Sequence, residues 1–136
     1  MPIYHCTIAA GTLSSDLKSA LAAEVTRIHS AINHVPGRYV NVVFNELAAD
    51  NVFTDGQPAQ PLLITGWVRT GHPDGETSQL LAAIADAATR VTGFPASRIL
   101  VVIQNSPARF AIEGGRTLPE PGHEHEWIAA GATKNH

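Results

Sequence analysis

The most constraining feature of this sequence is that it reads twice. With the second part set against the first at an offset of 59 residues, Pro2 meets Pro61, Pro36 meets Pro95 and Gly56 meets Gly115. Leu21/Leu80, Val42/Val101 and Val43/Val102 fall on the same offset, and the two halves superpose without a gap. Self-similarity at a fixed period points to one supersecondary unit used twice. In each half a β-rich run leads into a helical pattern, then Pro, then a buried apolar run. Residues 2–8 (PIYHCTI) read as a strand broken by Gly11 and Thr12, with Ser14 or Ser15 able to cap a helix. Leu17, Leu21, Val25, Ile28 and Ile32 follow at spacings of four, four, three and four, an apolar stripe along one helix face. Pro36-Gly37 stops that helix, residues 39–45 (YVNVVFN) read as a buried strand, and residues 47–60 suit a hairpin or surface loop. The order recurs with a strand from Pro61, a helix over 76–92 and a strand at 99–103 (ILVVI).

Two βαβ units predict an α/β chain with a four-stranded sheet and two helices on one face. The halves are expected at about 2–58 and 61–115 of a single domain, 1–136, with a C-terminal segment from 116. That segment reads as ordered around Leu118 and Trp127 and frayed from about Gly131. The other sheet face would need cover. Only 15% of the residues are charged, against about 25% in ordinary globular chains. A weakly charged surface and an open sheet face both imply association between subunits.

The same arithmetic excludes several functions. A net charge of −3 offers no basic field for a nucleic acid. No apolar run approaches the length of a membrane span, and no signal peptide pattern opens the chain. One cysteine, Cys6, rules out an internal disulfide framework and fits a cytoplasmic setting. With no positive neighbour to favour a thiolate, it reads as a buried structural thiol. No nucleotide-binding glycine signature is present.

The second residue carries the chemical interest. Loss of Met1 would expose the secondary amine of Pro2, and an α-amino group titrates near neutrality. The plainer alternative is that Pro2 only begins an edge strand. A retained Met1 would block the amine.

At this point the chain resembles the tautomerase superfamily and, more narrowly, its cis-3-chloroacrylic acid dehalogenase group. The resemblance spans residues 2 to about 128. It is carried by residues 113–127 (EGGRTLPEPGHEHEW), which follow that group's E-x-G-R-x-L-x-x-P-G-x-E pattern, and by VVFNE at 42–46 and NVF at 51–53. It implies a trimer, no cofactor and a small carboxylic acid substrate. It makes Pro2 the general acid or base and Glu113 the water-activating carboxylate. It makes His29 and Arg69 the groups that hold the substrate, Arg suiting that role through its bidentate fork. Read without the resemblance, His29 is a helix-border histidine, Arg69 a solvated strand end and Glu113 a loop carboxylate.

Two positions depart from the pattern. His72 stands where the group has a second arginine, so carboxylate binding should weaken as pH rises. Ile103 replaces a tyrosine that helps position water, leaving an apolar wall. Both changes argue against hydrolytic dehalogenation and leave proton transfer by Pro2. The expectation is keto–enol tautomerisation of a phenylpyruvate-like 2-oxo acid, with weak or no haloacrylate dehalogenase or hydratase activity. One alternative is a non-catalytic trimer that binds a small acid or acts as a scaffold. Another is decarboxylation of a 3-oxo acid such as malonate semialdehyde. His123 and His125, flanked by Glu124 and Glu126, lack a third ligand, so no metal is expected. His5 reads as a strand residue without a catalytic part. The sequence leaves Arg116 open between the site and a subunit interface.

Overall fold

Alternation in the first strand sets the architecture. In β1 (Ile3–Ala9) the side chains of Tyr4, Cys6 and Ile8 are buried while Ile3 and His5 are exposed, so one face of the strand meets the core. Helix α1 (Ser15–Asn33) lies over that face. Ser14 caps it, its Oγ accepting the Leu17 N–H at 3.2 Å, and Leu21, Val25 and Ile28 are its buried residues toward the sheet. His34 ends the helix in the left-handed conformation, with φ 58°, its N–H returning to the Ser30 carbonyl. The chain then runs into β2 (Asn41–Leu47), parallel to β1.

A short hairpin of β3 (Phe53–Thr54) and β4 (Gln57–Pro58) follows, turned by Asp55 and Gly56 at φ 53° and 69°. Two positive φ values in a two-residue turn are the form that suits the twist of a hairpin. The second half repeats the course through β5 (Leu62–Arg69), α2 (Asp74–Thr92) and β6 (Ile99–Ser106). A second hairpin, β7 (Ile112–Glu113) and β8 (Arg116–Thr117), turns at Gly114-Gly115. The main sheet runs β2-β1-β5-β6, with β1 and β5 antiparallel at the centre and a parallel partner outside each. Tyr4, Cys6, Ile8, Leu62, Ile64 and Val68 pack against Leu21, Val25, Leu80, Ile84 and Ala88 in one core. On the opposite face Ile3, Val43, Leu47, Leu100 and Val102 are 36–56% exposed, the uncovered apolar surface expected from the sequence.

The structure, a computed structural model, describes residues 1–134. It corrects the sequence reading twice. First, the repeat is not gap-free. Ile3 pairs with Asn41, 38 residues on, but Leu63 pairs with Leu100, 37 residues on. The first strand therefore repeats at an offset of 60, whereas the helices and all that follows repeat at 59. The extra residue is Leu13, buried between the Gly11-Thr12 turn and the Ser14 cap, where the second half passes from Gly71-His72 straight to Pro73. Pro2 therefore corresponds to Leu62, not to Pro61.

Second, the chain does not fray at Gly131: helix α3 (Glu124–Lys134) continues past it. Glycine is a poor helix former, which makes it read as an end. Here it makes room for the Arg116 guanidinium, because a Cβ at Gly131 would lie 2.1 Å from the Arg116 Nη2 and the arginine would have to shift. Arg116 stacks 3.8 Å above the Trp127 ring and donates to the Trp127 carbonyl at 2.6 Å, while the Trp127 indole N–H reaches the Thr117 carbonyl. Leu118 is buried and Trp127 packs edge-on to Tyr39, so both expected anchors hold this segment. Asn135 and His136, the end of the expected tail, lie outside the described residues.

Candidate active site

The two central strands deliver their ends to one place. Pro2, fully buried, precedes β1, and its carbonyl accepts the Asn41 N–H at 3.2 Å. Ahead of it Met1 is 4% exposed, and its amino group makes an ion pair of 3.2 Å with Glu113 Oε1 and donates to the Tyr39 carbonyl. Glu113 is held there by the tight β7–β8 turn, in which it pairs with Arg116 across two glycines of positive φ. Burial lowers the pKa of this amine, Glu113 works in the opposite direction, and Arg69 adds a smaller lowering.

His29 is 2% exposed on the sheet-facing side of α1. Its Nδ1 lies 2.8 Å from the Tyr4 hydroxyl. Burial pulls the imidazole down to about 3, helped by the N-terminal ammonium, His72 and Arg69. Burial also pushes the Tyr4 phenol upward, so at neutral pH the ring is neutral and the hydroxyl keeps its proton. The neutral ring and the protonated phenol share this hydrogen bond, and in the tautomer that accepts from the phenol at Nδ1 the histidine proton sits on Nε2 as a donor. Tyr4 has room because residue 66 opposite it is glycine; a Cβ there would lie 2.5 Å from the Tyr4 ring.

Arg69 ends β5 almost fully buried, at 3% exposure. Its Nη1 donates to the Pro119 carbonyl and its Nη2 to Glu124 Oε1, both at 2.7 Å. Burial would raise the pKa of Glu124, but hydrogen bonds from Arg69, from its own N–H and from the Gly122 N–H outweigh it and hold the carboxyl below its ordinary range. His72, in the next turn, sits 3.3 Å from Glu76.

The structure therefore gathers Pro2, His29, Arg69 and Glu113 within electrostatic or direct reach of the amino end, with His72 in electrostatic reach of His29. Ile103 is placed otherwise: it lies half-buried against the helix-side core. Cys6 is a buried free thiol pushed up to about 12 by its surroundings, as the sequence suggested. His5 faces the open side of the sheet beside Asn45. Arg116 holds α3 through Trp127. His123 lies 3.5 Å from Glu126, while Glu124 is spent on Arg69. Among the described residues no group of three His, Cys, Asp or Glu is arranged to hold a metal ion. No helix among them is long and apolar enough to cross a membrane. Sequence reasoning missed two members of the constellation. Tyr4 gave no signal beyond strand alternation. Glu124 is the last position of the 113–124 pattern, and only the fold shows that it faces Arg69 across 55 residues.

A family model described as "Putative oxalocrotonate tautomerase enzyme" matches residues 1–132. Among solved structures the chain is similar to N1, a member of the cis-3-chloroacrylic acid dehalogenase (cis-CaaD) family. The two share 30% identity over 93% of this chain and 90% of that one, with a TM-score of 0.90. Native Ps01740 is 38% identical over 82% of this chain and 99% of its own, with a TM-score of 0.80. The Q0 fused 4-OT wild-type symmetric trimer, 20% identical over 85% of this chain and 94% of its own, has a TM-score of 0.76, a likeness of fold alone. No curated protein matches.

Proposed function

We propose, for a chain that belongs to the tautomerase superfamily and to its cis-3-chloroacrylic acid dehalogenase-like group, that Pro2 moves a proton on a small 2-oxo or unsaturated carboxylic acid. One observation carries this reading: the amino end of the chain is buried, and a carboxylate, Glu113, meets it at 3.2 Å. Removal of Met1 would free the Pro2 nitrogen, one residue inward of the amine that meets Glu113, as a secondary amine at the same buried end of the chain. Burial would make that amine easier to deprotonate and a nearby carboxylate would steady its protonated form, which suits it to take up and return a proton. Neutral His29 offers an Nε2–H to the substrate oxygen, and Arg69, whose Nε and remaining Nη protons are beyond the two bonds described, attracts the carboxylate. His72 adds charge only when protonated.

The reaction this supports best is keto–enol exchange of a phenylpyruvate-like acid. Hydration or dehalogenation of a 3-haloacrylate should be weak or absent, because the tyrosine that positions water in the dehalogenase group's pattern is replaced by Ile103, which packs on the helix-side core and supplies no hydroxyl. The exposed apolar sheet face and the trimeric fused relative support a homotrimer. The decisive assay follows phenylpyruvate enol and cis-3-chloroacrylate with the wild type and Pro2→Ala, on protein whose intact mass lacks Met1. Loss of a general acid–base group should lower phenylpyruvate turnover by about 10²-fold or more. Equal turnover by the two proteins would refute the role of Pro2.

The Arg69–Glu124 pair favours a second reading. An arginine already neutralised by an internal carboxylate is a weaker site for an external one, as in a protein that binds without turnover or serves as a scaffold. Binding of phenylpyruvate without exchange of its C3 protons would favour it.

A further inference from the structure

Met1 does more than precede Pro2. Its side chain is buried in a second apolar cluster with Val35, Ala108 and Leu118, and Tyr39, Trp67 and Trp127 pack around that cluster. Its carbonyl carbon is bonded to the Pro2 nitrogen, and its amino group meets Glu113. A cavity of about 200 Å³ adjoins it, lined in part by Met1 itself with Trp67, Ile112, Glu113 and Leu118. Methionine therefore fills a compartment that begins at the nitrogen assigned to catalysis and ends among apolar and aromatic walls.

We propose that this compartment is the side-chain subsite of the enzyme, and that it receives the unbranched apolar tail of a 2-oxo acid. The inference rests on the reading of Pro2 as the base. A tail of about four heavy atoms matches the methionine side chain, an unbranched group with three rotatable bonds. In the reaction the Pro2 nitrogen takes a proton from C3 of the acid. The C3–H electron pair becomes the C2–C3 double bond, and the carbonyl oxygen takes the charge and then a proton, so the enol has the formula of the ketone. With C3 beside the Pro2 nitrogen, where the Met1 backbone now lies, the tail on C3 continues along the path of the Met1 side chain. A second carboxylate on that tail is disfavoured, because the side chains packed around Met1 are apolar or aromatic, and Arg116 at its edge is already committed to the Trp127 ring and carbonyl. The carboxylate at the mouth, Glu113, repels one as well.

The test is a ladder of straight-chain 2-oxo acids from pyruvate to 2-oxooctanoate. Binding is measured by calorimetry, and turnover by enol disappearance, on protein whose intact mass lacks Met1. Binding should tighten about fourfold per added methylene until the compartment is full, then level off. 2-Oxoglutarate should bind at least about tenfold more weakly than 2-oxopentanoate. Ala108→Leu, which fills the compartment, should flatten the ladder. A ladder that is flat in the wild type, or tightest at pyruvate, overturns the subsite whatever the variant does. Pro2→Ala separates the two readings: it should keep the binding ladder and lose turnover. A steep ladder with Pro2→Ala turnover equal to wild type would leave the subsite standing and remove the base. An intact mass that still contains Met1 would overturn both.

Discussion

The two βαβ halves share a backbone but not a chemistry. Their helices are each 19 residues long and their hairpins turn at the same place in the repeat, at Asp55-Gly56 and Gly114-Gly115. Yet where the first half carries His29, the second carries Ala88, and where the first carries Tyr4, the second carries Ile64. In the other direction, Ala9 of the first half corresponds to Arg69, Thr12 to His72 and Thr54 to Glu113. Ala9, Ile64 and Ala88 are buried apolar groups where the other half carries a candidate site residue, whereas Thr12 is a half-buried and Thr54 an exposed hydroxyl. The scaffold is duplicated and the site occurs once, because its members come from both halves and meet at the start of β1 and the end of β5.

The sharpest test of that asymmetry is His29 against Ala88. The folded imidazole stays neutral down to about pH 3, whereas an unfolded one titrates near 6.5. Between those values the unfolded chain binds the extra proton, so stability falls as pH drops through 6.5 and levels off below 3. The slope should approach about 1.4 kcal/mol per pH unit. His29→Ala, which makes the first helix like the second, should remove that dependence in denaturation midpoints followed from pH 7 to 4. An unchanged slope would show that His29 is not the titrating group.

Next in size is Arg69 against Ala9. Glu124→Gln leaves a buried guanidinium without its carboxylate and should cost about 3 kcal/mol in urea unfolding. A loss under about 0.5 kcal/mol would mean the pair behaves like an exposed one. Gly66 against Cys6, its counterpart in β1, comes third. Gly66→Ala drives a methyl to within 2.5 Å of the Tyr4 ring and should cost about 1–3 kcal/mol. It should also shift the His29 ring resonances, since Tyr4 is the partner of Nδ1. The smallest effects lie at the helix ends. Ser14 caps α1 with its side chain while Pro73 gives α2 none, so Ser14→Ala should cost about 1 kcal/mol. At the other end His34 adopts the φ that Gly93 adopts in α2, and His34→Gly should gain up to about 1 kcal/mol in thermal unfolding.

Much of this was legible before any coordinates. Helix stripes, prolines and hairpin glycines are local signals, and they located every long element of both halves. The registers were less legible. Leu13 looks like any apolar residue, and only strand pairing shows that it displaces the first strand by one position against the second. Gly131 looked like an ending because its role depends on Arg116, a residue of a different element. Among the candidate site residues, Glu113 lies in the 113–124 pattern, and Pro2, His29, Arg69 and His72 were singled out by position through the family resemblance. Glu124 stood inside the same motif without revealing its partner.

The sequence by itself determined the repeat, the two helices, the four strands, the shortage of surface charge and the residue types available for proton transfer. These follow from the chain's neighbour-to-neighbour chemistry. The tertiary structure alone decided which of those residues meet. It set Glu113 against the amino end, turned the Tyr4 phenol to His29, committed Arg69 to Glu124, and sent Ile103 to the helix-side core. Each of these outcomes depends on strand register and on desolvation. Both are properties of packed surfaces distant in the chain, and no local pattern encodes them.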